Sequence, residues 1–315
     1  MSTTFKEIEI PVPWGTINGK WWGPQDKRPF LFLHGWQDNS GSFDALIPLL
    51  PHDLSILCVD FPGHGLSTHY NKGQFYYIFW DGLITARRVV KYFGWPKVSI
   101  VGHSLGGAVG FMYAATYPDE VEKLVSLDIV CPRVSKPSSL ANGFGKCIDT
   151  FLRYELLTPD KQPNYEYEEM VDIALDGYKG SVTRDGVETL LKRGMKPIEN
   201  KPGKFAFNRD VRLKVVSGLG MPSLDIVLEM ADKLRCHYLN IRAVDGLCRT
   251  MESPEVYPIV LERLKKNCRS FRYHVIDGKH HLHLNEPEKI SEIISTFLTA
   301  VEPQSGGDPI EPIAT

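Results

Sequence analysis

The sequence predicts an α/β protein: a mostly parallel central sheet with helices on both faces and a helical segment inserted into it. Three observations carry that expectation. Short apolar runs alternate with amphipathic stretches of helical length between Phe30 and Leu127. One run, Lys97-Val98-Ser99-Ile100-Val101, breaks directly into Gly102-His103-Ser104-Leu105-Gly106-Gly107 and then into a helical stretch. The alternation stops near Pro132 and strand-like patterning returns only at His237. Strand–helix alternation of this kind builds parallel strands covered by helices.

In order, residues 5–13 and 15–22 read as an antiparallel pair turned around Pro13-Trp14-Gly15. Residues 30–33 and 54–59 read as short buried strands, 42–50 as a helix and 75–93 as a long amphipathic helix. The strand before Gly102, its helix and a strand at 124–127 follow. Helical patterns at 148–156, 166–175, 186–192 and 224–234 are separated by polar, Pro- and Gly-containing breaks. Strands at 237–243 and 271–276 and a helix at 287–301 complete the pattern. The expected organisation is a core from residues 1–131, a helical cap at 132–233, core again at 234–302 and a disordered Pro- and Gly-rich tail at 303–315.

At 315 residues the chain can bury a substantial core without staples. A formal net charge of -2 gives no reason to expect nucleic acid or an anionic membrane as partner. The six cysteines are scattered, with no C-x-x-C, and read as reduced. No apolar stretch approaches membrane-spanning length, and the N-terminus lacks the apolar region of a signal peptide, so a reducing, cytoplasmic setting is the expectation.

The chemistry centres on Ser104. A short strand that breaks into Gly-x-Ser-x-Gly and then a helix is a nucleophile elbow, with the serine strained at the apex and small neighbours letting strand and helix pass closely. A serine hydroxyl is a weak nucleophile and needs a base, which needs an orienting acid. His280, first of three histidines in Asp277-Gly278-Lys279-His280-His281-Leu282-His283, is the expected base ahead of His281 or His283. For the acid, chain order favours Asp245, after the strand at 237–243, over Asp128, which ends the strand at 124–127. The amides of Trp36 and Leu105 are the expected oxyanion donors. No carboxylate or cysteine at ligand spacing accompanies the histidines, so neither metal nor cofactor is expected. His34 reads as a structural residue holding its loop, as does His64, and Asp60 and Ser67 as hydrogen-bonding residues within the loop at 60–67.

With these residues in place the chain resembles the α/β-hydrolase family. The resemblance rests on His34-Gly35-Trp36, Asp60-Phe61-Pro62-Gly63-His64-Gly65-Leu66-Ser67, Gly102-His103-Ser104-Leu105-Gly106-Gly107 and His280 before Leu284-Asn285-Glu286-Pro287. More closely, His34-Gly35-Trp36-Gln37-Asp38-Asn39-Ser40-Gly41-Ser42-Phe43 and Asn208-Arg209-Asp210-Val211-Arg212-Leu213 look like the serine hydrolase-like, kraken-type group. The resemblance implies the α/β-hydrolase fold with an inserted cap. Relatives that open epoxides or remove halide carry Asp where this chain has Ser104, so acyl transfer to serine is the implied chemistry. The expectation is a serine hydrolase acting on a small ester, thioester or related acyl compound. The alternatives are a ligand-binding protein on a hydrolase fold without turnover and a serine-dependent carbon–carbon bond hydrolase. The sequence leaves the substrate and the oligomeric state open.

Overall fold

The computed structural model describes residues 4–157, 163–215, 219–247 and 255–300; the expected tail at 303–315 lies outside them. Its centre is an eight-stranded sheet built from β1 (Phe5–Val12), β2 (Gly15–Trp22), β3 (Phe30–Leu33), β4 (Ile56–Val59), β5 (Val98–His103), β6 (Val121–Leu127), β9 (His237–Asp245) and β10 (Ser270–Lys279). The strand order is β1-β2-β4-β3-β5-β6-β9-β10, antiparallel from β1 to β4 and parallel from there onward.

Two-residue periodicity divides each buried strand between two cores. Leu31, Leu33, Leu57, Val59, Val98, Ile100, Leu124 and Tyr238 face one side, against α1 (Ile78–Tyr92), α2 (Leu105–Thr116), α6 (Leu224–Ala231) and α7 (Val256–Asn267). Phe32, Cys58, Val101, Val125, Leu127, Leu239 and Ile241 face the other, against Phe43, Leu46 and α9 (Glu288–Thr299). Because both faces are covered, the strands read as continuous apolar runs rather than alternating ones.

Between β6 and β9 lie α3 (Pro137–Glu155), α4 (Tyr167–Tyr178), α5 (Arg184–Gly194), the antiparallel pair β7 (Met195–Pro197) and β8 (Phe205–Phe207), and α6. Met170, Val171 and Ala174 of α4 pack with Val187, Leu190 and Leu191 of α5 and with Leu284 of the short helix α8 (Leu282–Asn285). Glu166 and Glu169 form a reciprocal capping box at the start of α4, so the acidic run there caps a helix. Arg193, at the end of α5, is 4 % exposed and reaches Asp60 Oδ2 at 2.6 Å and Glu7 Oε1 at 2.5 Å. In α3 a single side chain, Phe151, is buried. Val227 and Ala231 of α6 join the main core instead of the α4–α5 layer.

Three local features differ from the sequence expectation. Residues 42–50 form two short 3-10 turns, Ser40–Phe43 and Ile47–Leu49, because Pro48 has no N–H to donate back to Asp44 and its ring obstructs that carbonyl. The stretch between β6 and β9 contains the β7–β8 pair as well as helices. Helix α7 was not anticipated, although Val256, Tyr257, Val260 and Leu264 bury one face of it. No helix among the described residues is long and apolar enough to cross a membrane, and Cys58, Cys147, Cys236 and Cys268 are free thiols.

Candidate active site

The register of four adjacent parallel strands brings the chemistry to one edge. Leu33 pairs with Gly102, His103 with Leu127, and Leu127 with Ile241, so the segments that follow β3, β5, β6 and β9 leave the sheet side by side. The C-terminal edge of such strands is where α/β folds place their ligands.

At the end of β5, Ser104 has φ 51° and ψ -115°, a conformation costly for a residue with a side chain. The fold imposes it. A Cβ at Gly102 would lie 2.2 Å from the carbonyl carbon of Gly106, and one at Gly106 would lie 1.9 Å from the carbonyl oxygen of Leu33. Only glycine lets α2 pass this close to β5 and β3. The Ser104 amide donates to the Leu127 carbonyl at 3.1 Å, pinning the apex to β6. The side chain sits half-buried at the positive end of α2.

His280 lies just past β10, 16 % exposed, and its Nδ1 is 2.6 Å from Asp128 Oδ2. A carboxylate only accepts, so Nδ1 carries the hydrogen and Nε2 presents a lone pair, the tautomer a general base needs. Asp128 follows β6 with φ 53° and is 2 % exposed. Its carboxylate also accepts from the amides of Ala243 at 2.8 Å and Leu247 at 2.7 Å.

The carboxylate on His280 is therefore that of Asp128, and the expected acid, Asp245, is not. Asp245 is exposed at the end of β9. The backbone on either side of it gives the Asp128 carboxylate two amides, and a Cβ at Gly246 would fall 2.1 Å from Asp128 Oδ1. The glycine after Asp245 thus makes room for another residue's side chain.

Trp36 lies in the loop after β3 and Leu105 opens α2, and among the described residues their amides donate to no protein acceptor. Gln37, beside Trp36, has φ 65°, and the Asp38 amide closes a turn onto the Gly35 carbonyl at 3.2 Å. His34 is fully buried; its Nδ1 bonds the Gly35 carbonyl at 2.7 Å and its Nε2 accepts the Phe61 amide at 3.0 Å. Asp60 accepts the amides of Ser40 at 2.7 Å and Leu66 at 2.9 Å as well as Arg193, tying its own loop to the loop after β3 and to the end of α5. Ser67 donates to the Asp60 carbonyl at 2.6 Å. His64 Nδ1 donates to the Pro62 carbonyl at 3.0 Å, and burial lowers the ring to about 3.

A second polar group, which sequence reasoning missed, adjoins the elbow. Asp38 is 2 % exposed, with Oδ1 accepting the Tyr178 hydroxyl at 3.0 Å and Oδ2 facing His103 Nδ1 at 3.5 Å and His281 Nε2 at 3.4 Å. Burial lowers His281, and lowers His103 to about 3. Gln37, Asp38, Tyr178, Leu190, Phe207 and Arg209 line a cleft between this loop and the α4–α5 layer.

An elbow serine and a histidine–carboxylate pair on the C-terminal edge of a mostly parallel eight-stranded sheet define an α/β hydrolase, and residues 28–155 match the family model described as the alpha/beta hydrolase fold. A protein of Drosophila melanogaster named "Probable serine hydrolase" is 48% identical over 94% of this chain and 88% of its own length. "Serine hydrolase-like protein" of Danio rerio is 34% identical over 97% of this chain and 91% of its own. A solved hypothetical protein of Pseudomonas aeruginosa PAO1 superposes with a TM-score of 0.79 at 29% identity, covering 93% of this chain and 97% of that one. The chain belongs to the α/β-hydrolase family, among its serine hydrolase-like proteins.

Proposed function

We propose that the protein is a serine hydrolase that cleaves a small ester, thioester or related acyl substrate through Ser104, His280 and Asp128. The observation that carries this reading is the 2.6 Å bond from His280 Nδ1 to a buried Asp128, one strand away from the strained Ser104 elbow. Ser104 Oγ attacks the substrate carbonyl carbon as His280 Nε2 takes its proton, and Asp128 stabilises the imidazolium that forms. The amides of Trp36 and Leu105 bind the negative charge that develops on the carbonyl oxygen, a role worth about 3–4 kcal/mol for a single donor in comparable sites. His280 then gives its proton to the departing alcohol or thiol, leaving an acyl-enzyme. Water, deprotonated by the same nitrogen, releases the acid and restores Ser104.

The test is covalent labelling of the purified protein with a fluorophosphonate probe, read by intact mass. One adduct per chain is expected on the native protein and none on Ser104→Ala. Labelling of that variant, or no labelling of well-folded native protein, overturns the assignment.

A further inference from the structure

We propose that Asp38, His103 and His281 form a site for a divalent transition cation of the zinc class, buried beside the elbow and separate from Ser104 and His280. One ligand atom from each of the three lies within 4.8 Å of the other two. Asp38 Oδ2 stands 3.5 Å from His103 Nδ1 and 3.4 Å from His281 Nε2. Those separations are long for hydrogen bonds between charged or polar groups. They match a tetrahedral edge, since ligand atoms about 2.1 Å from a zinc ion stand about 3.4 Å apart.

The surrounding hydrogen bonds decide which atoms are free to ligate. His103 Nε2 lies 3.0 Å from the carbonyl oxygen of His280, which only accepts, so Nε2 carries the hydrogen and Nδ1 presents a lone pair. Ser181 Oγ donates to the Tyr178 carbonyl at 2.8 Å and so accepts from His281 Nδ1 at 3.1 Å. His281 Nε2 therefore presents a lone pair as well. The Tyr178 hydroxyl holds Asp38 Oδ1 and turns Oδ2 toward both rings. Three lone pairs converge with no hydrogen between them. Asp38 Oδ2 and His103 Nδ1 are both buried without a hydrogen-bond partner among the described residues.

A cation at the point of convergence satisfies all three ligands at once. Each ligand then has the outer partner typical of metal sites: a carbonyl behind His103, a hydroxyl behind His281 and a phenol behind Asp38. Gly35 keeps the space open, because a Cβ there would sit 2.7 Å from Asp38 Oδ2 and 2.8 Å from His103 Nδ1. The cleft lined by Asp38 and Tyr178 offers the ion a way in. The carboxylate that the histidine cluster lacks in local sequence comes from the loop after β3. Bound there, the ion clamps that loop, the residue before Ser104 and the residue after His280 to one centre.

The full chain, stripped with a chelator, is titrated with Zn²⁺ by calorimetry and with Co²⁺ by visible absorption, which reports coordination geometry. One equivalent is expected, retained through gel filtration and accompanied by a rise in thermal midpoint. His281→Gln and Asp38→Asn should each weaken Zn²⁺ binding by about 100-fold or more, a loss at least as large as that from removing an outer partner. Gly35→Ala should weaken it comparably by filling the space while leaving every ligand in place. Replacing the exposed His52 with Gln should change nothing. Far-ultraviolet circular dichroism of each variant shows that it is folded before it is compared. Absence of a retained equivalent in the native protein overturns the proposal, and so does uptake by folded His281→Gln and Gly35→Ala equal to the native protein's. Turnover plays no part in the readout, so its outcome is distinct from that of the labelling test at Ser104.

Discussion

Two carboxylate–imidazole groups stand within one strand's width of the elbow, and they are built differently. In the first, Asp128 meets His280 at 2.6 Å, with two backbone amides on the same carboxylate and a ring 16 % exposed. In the second, Asp38 faces two buried rings at 3.4 and 3.5 Å, and its inner oxygen receives no hydrogen. The short contact holds the hydrogen on Nδ1 and leaves the far ring nitrogen with a lone pair. The long contacts leave lone pairs facing one another. Chemically similar residues thus become an oriented general base or a ligand cage according to which ring nitrogen the neighbouring hydrogen bonds occupy.

The largest effect that tests this contrast is expected from Asp128→Asn. An amide there keeps the volume but removes the charge and favours the wrong tautomer of His280, so turnover of a short acyl ester should fall about 10³–10⁴-fold. Steady-state kinetics and the rate of fluorophosphonate labelling both read it. A loss under ten-fold would mean that the 2.6 Å bond does not orient the base.

That variant addresses what the sequence left ambiguous. The elbow was legible because Gly102 and Gly106 are demanded by backbone contacts that the strand–turn–helix pattern itself announces. His280 was legible from its place after the last strand. The acid was not, because β6 and β9 are neighbours in the sheet and either can deliver a carboxylate to the same edge. Val244-Asp245-Gly246 has the look of a catalytic turn, yet its Gly makes room for Asp128 and the amides on either side of it bind the Asp128 carboxylate. Asp38 was hidden for a similar reason: nothing local marks it, and its partners come from β5 and from the loop after β10. Helix α7 escaped because Pro258, in its first turn, reads as a breaker, although proline is tolerated there.

His64 supplies a ring that belongs to neither group, buried with Nδ1 on a carbonyl and Nε2 without a partner among the described residues. Its value in the folded protein is about 3 against an ordinary 6.5, so below pH 6.5 the unfolded chain takes up a proton that the native state refuses. Stability should therefore fall as pH drops through that window, with His64 responsible for about 2 kcal/mol of the loss at pH 5. Urea unfolding of the native protein and of His64→Gln between pH 7 and 5 measures it; parallel pH profiles would show that His64 is charged in the fold. The smallest effect should come from Asp245→Asn. With an exposed side chain off the His280 bond, it should leave labelling within about two-fold and stability within about 0.5 kcal/mol. A large loss there would return the orienting role to Asp245.

Arg193 divides the segment between β6 and β9 into halves with unequal freedom to change. A buried guanidinium held by both Asp60 and Glu7 ties α5 to the first strand and to the loop after β4 at once. Replacing it would strand the Asp60 charge in the interior, a loss that neighbouring substitutions could hardly restore. Helix α3, with Phe151 as its one buried side chain, bears no such obligation. Sequence drift can therefore run along α3 while α5 stays fixed, and divergent descendants of this chain would differ first in the helix that holds the least of the fold together.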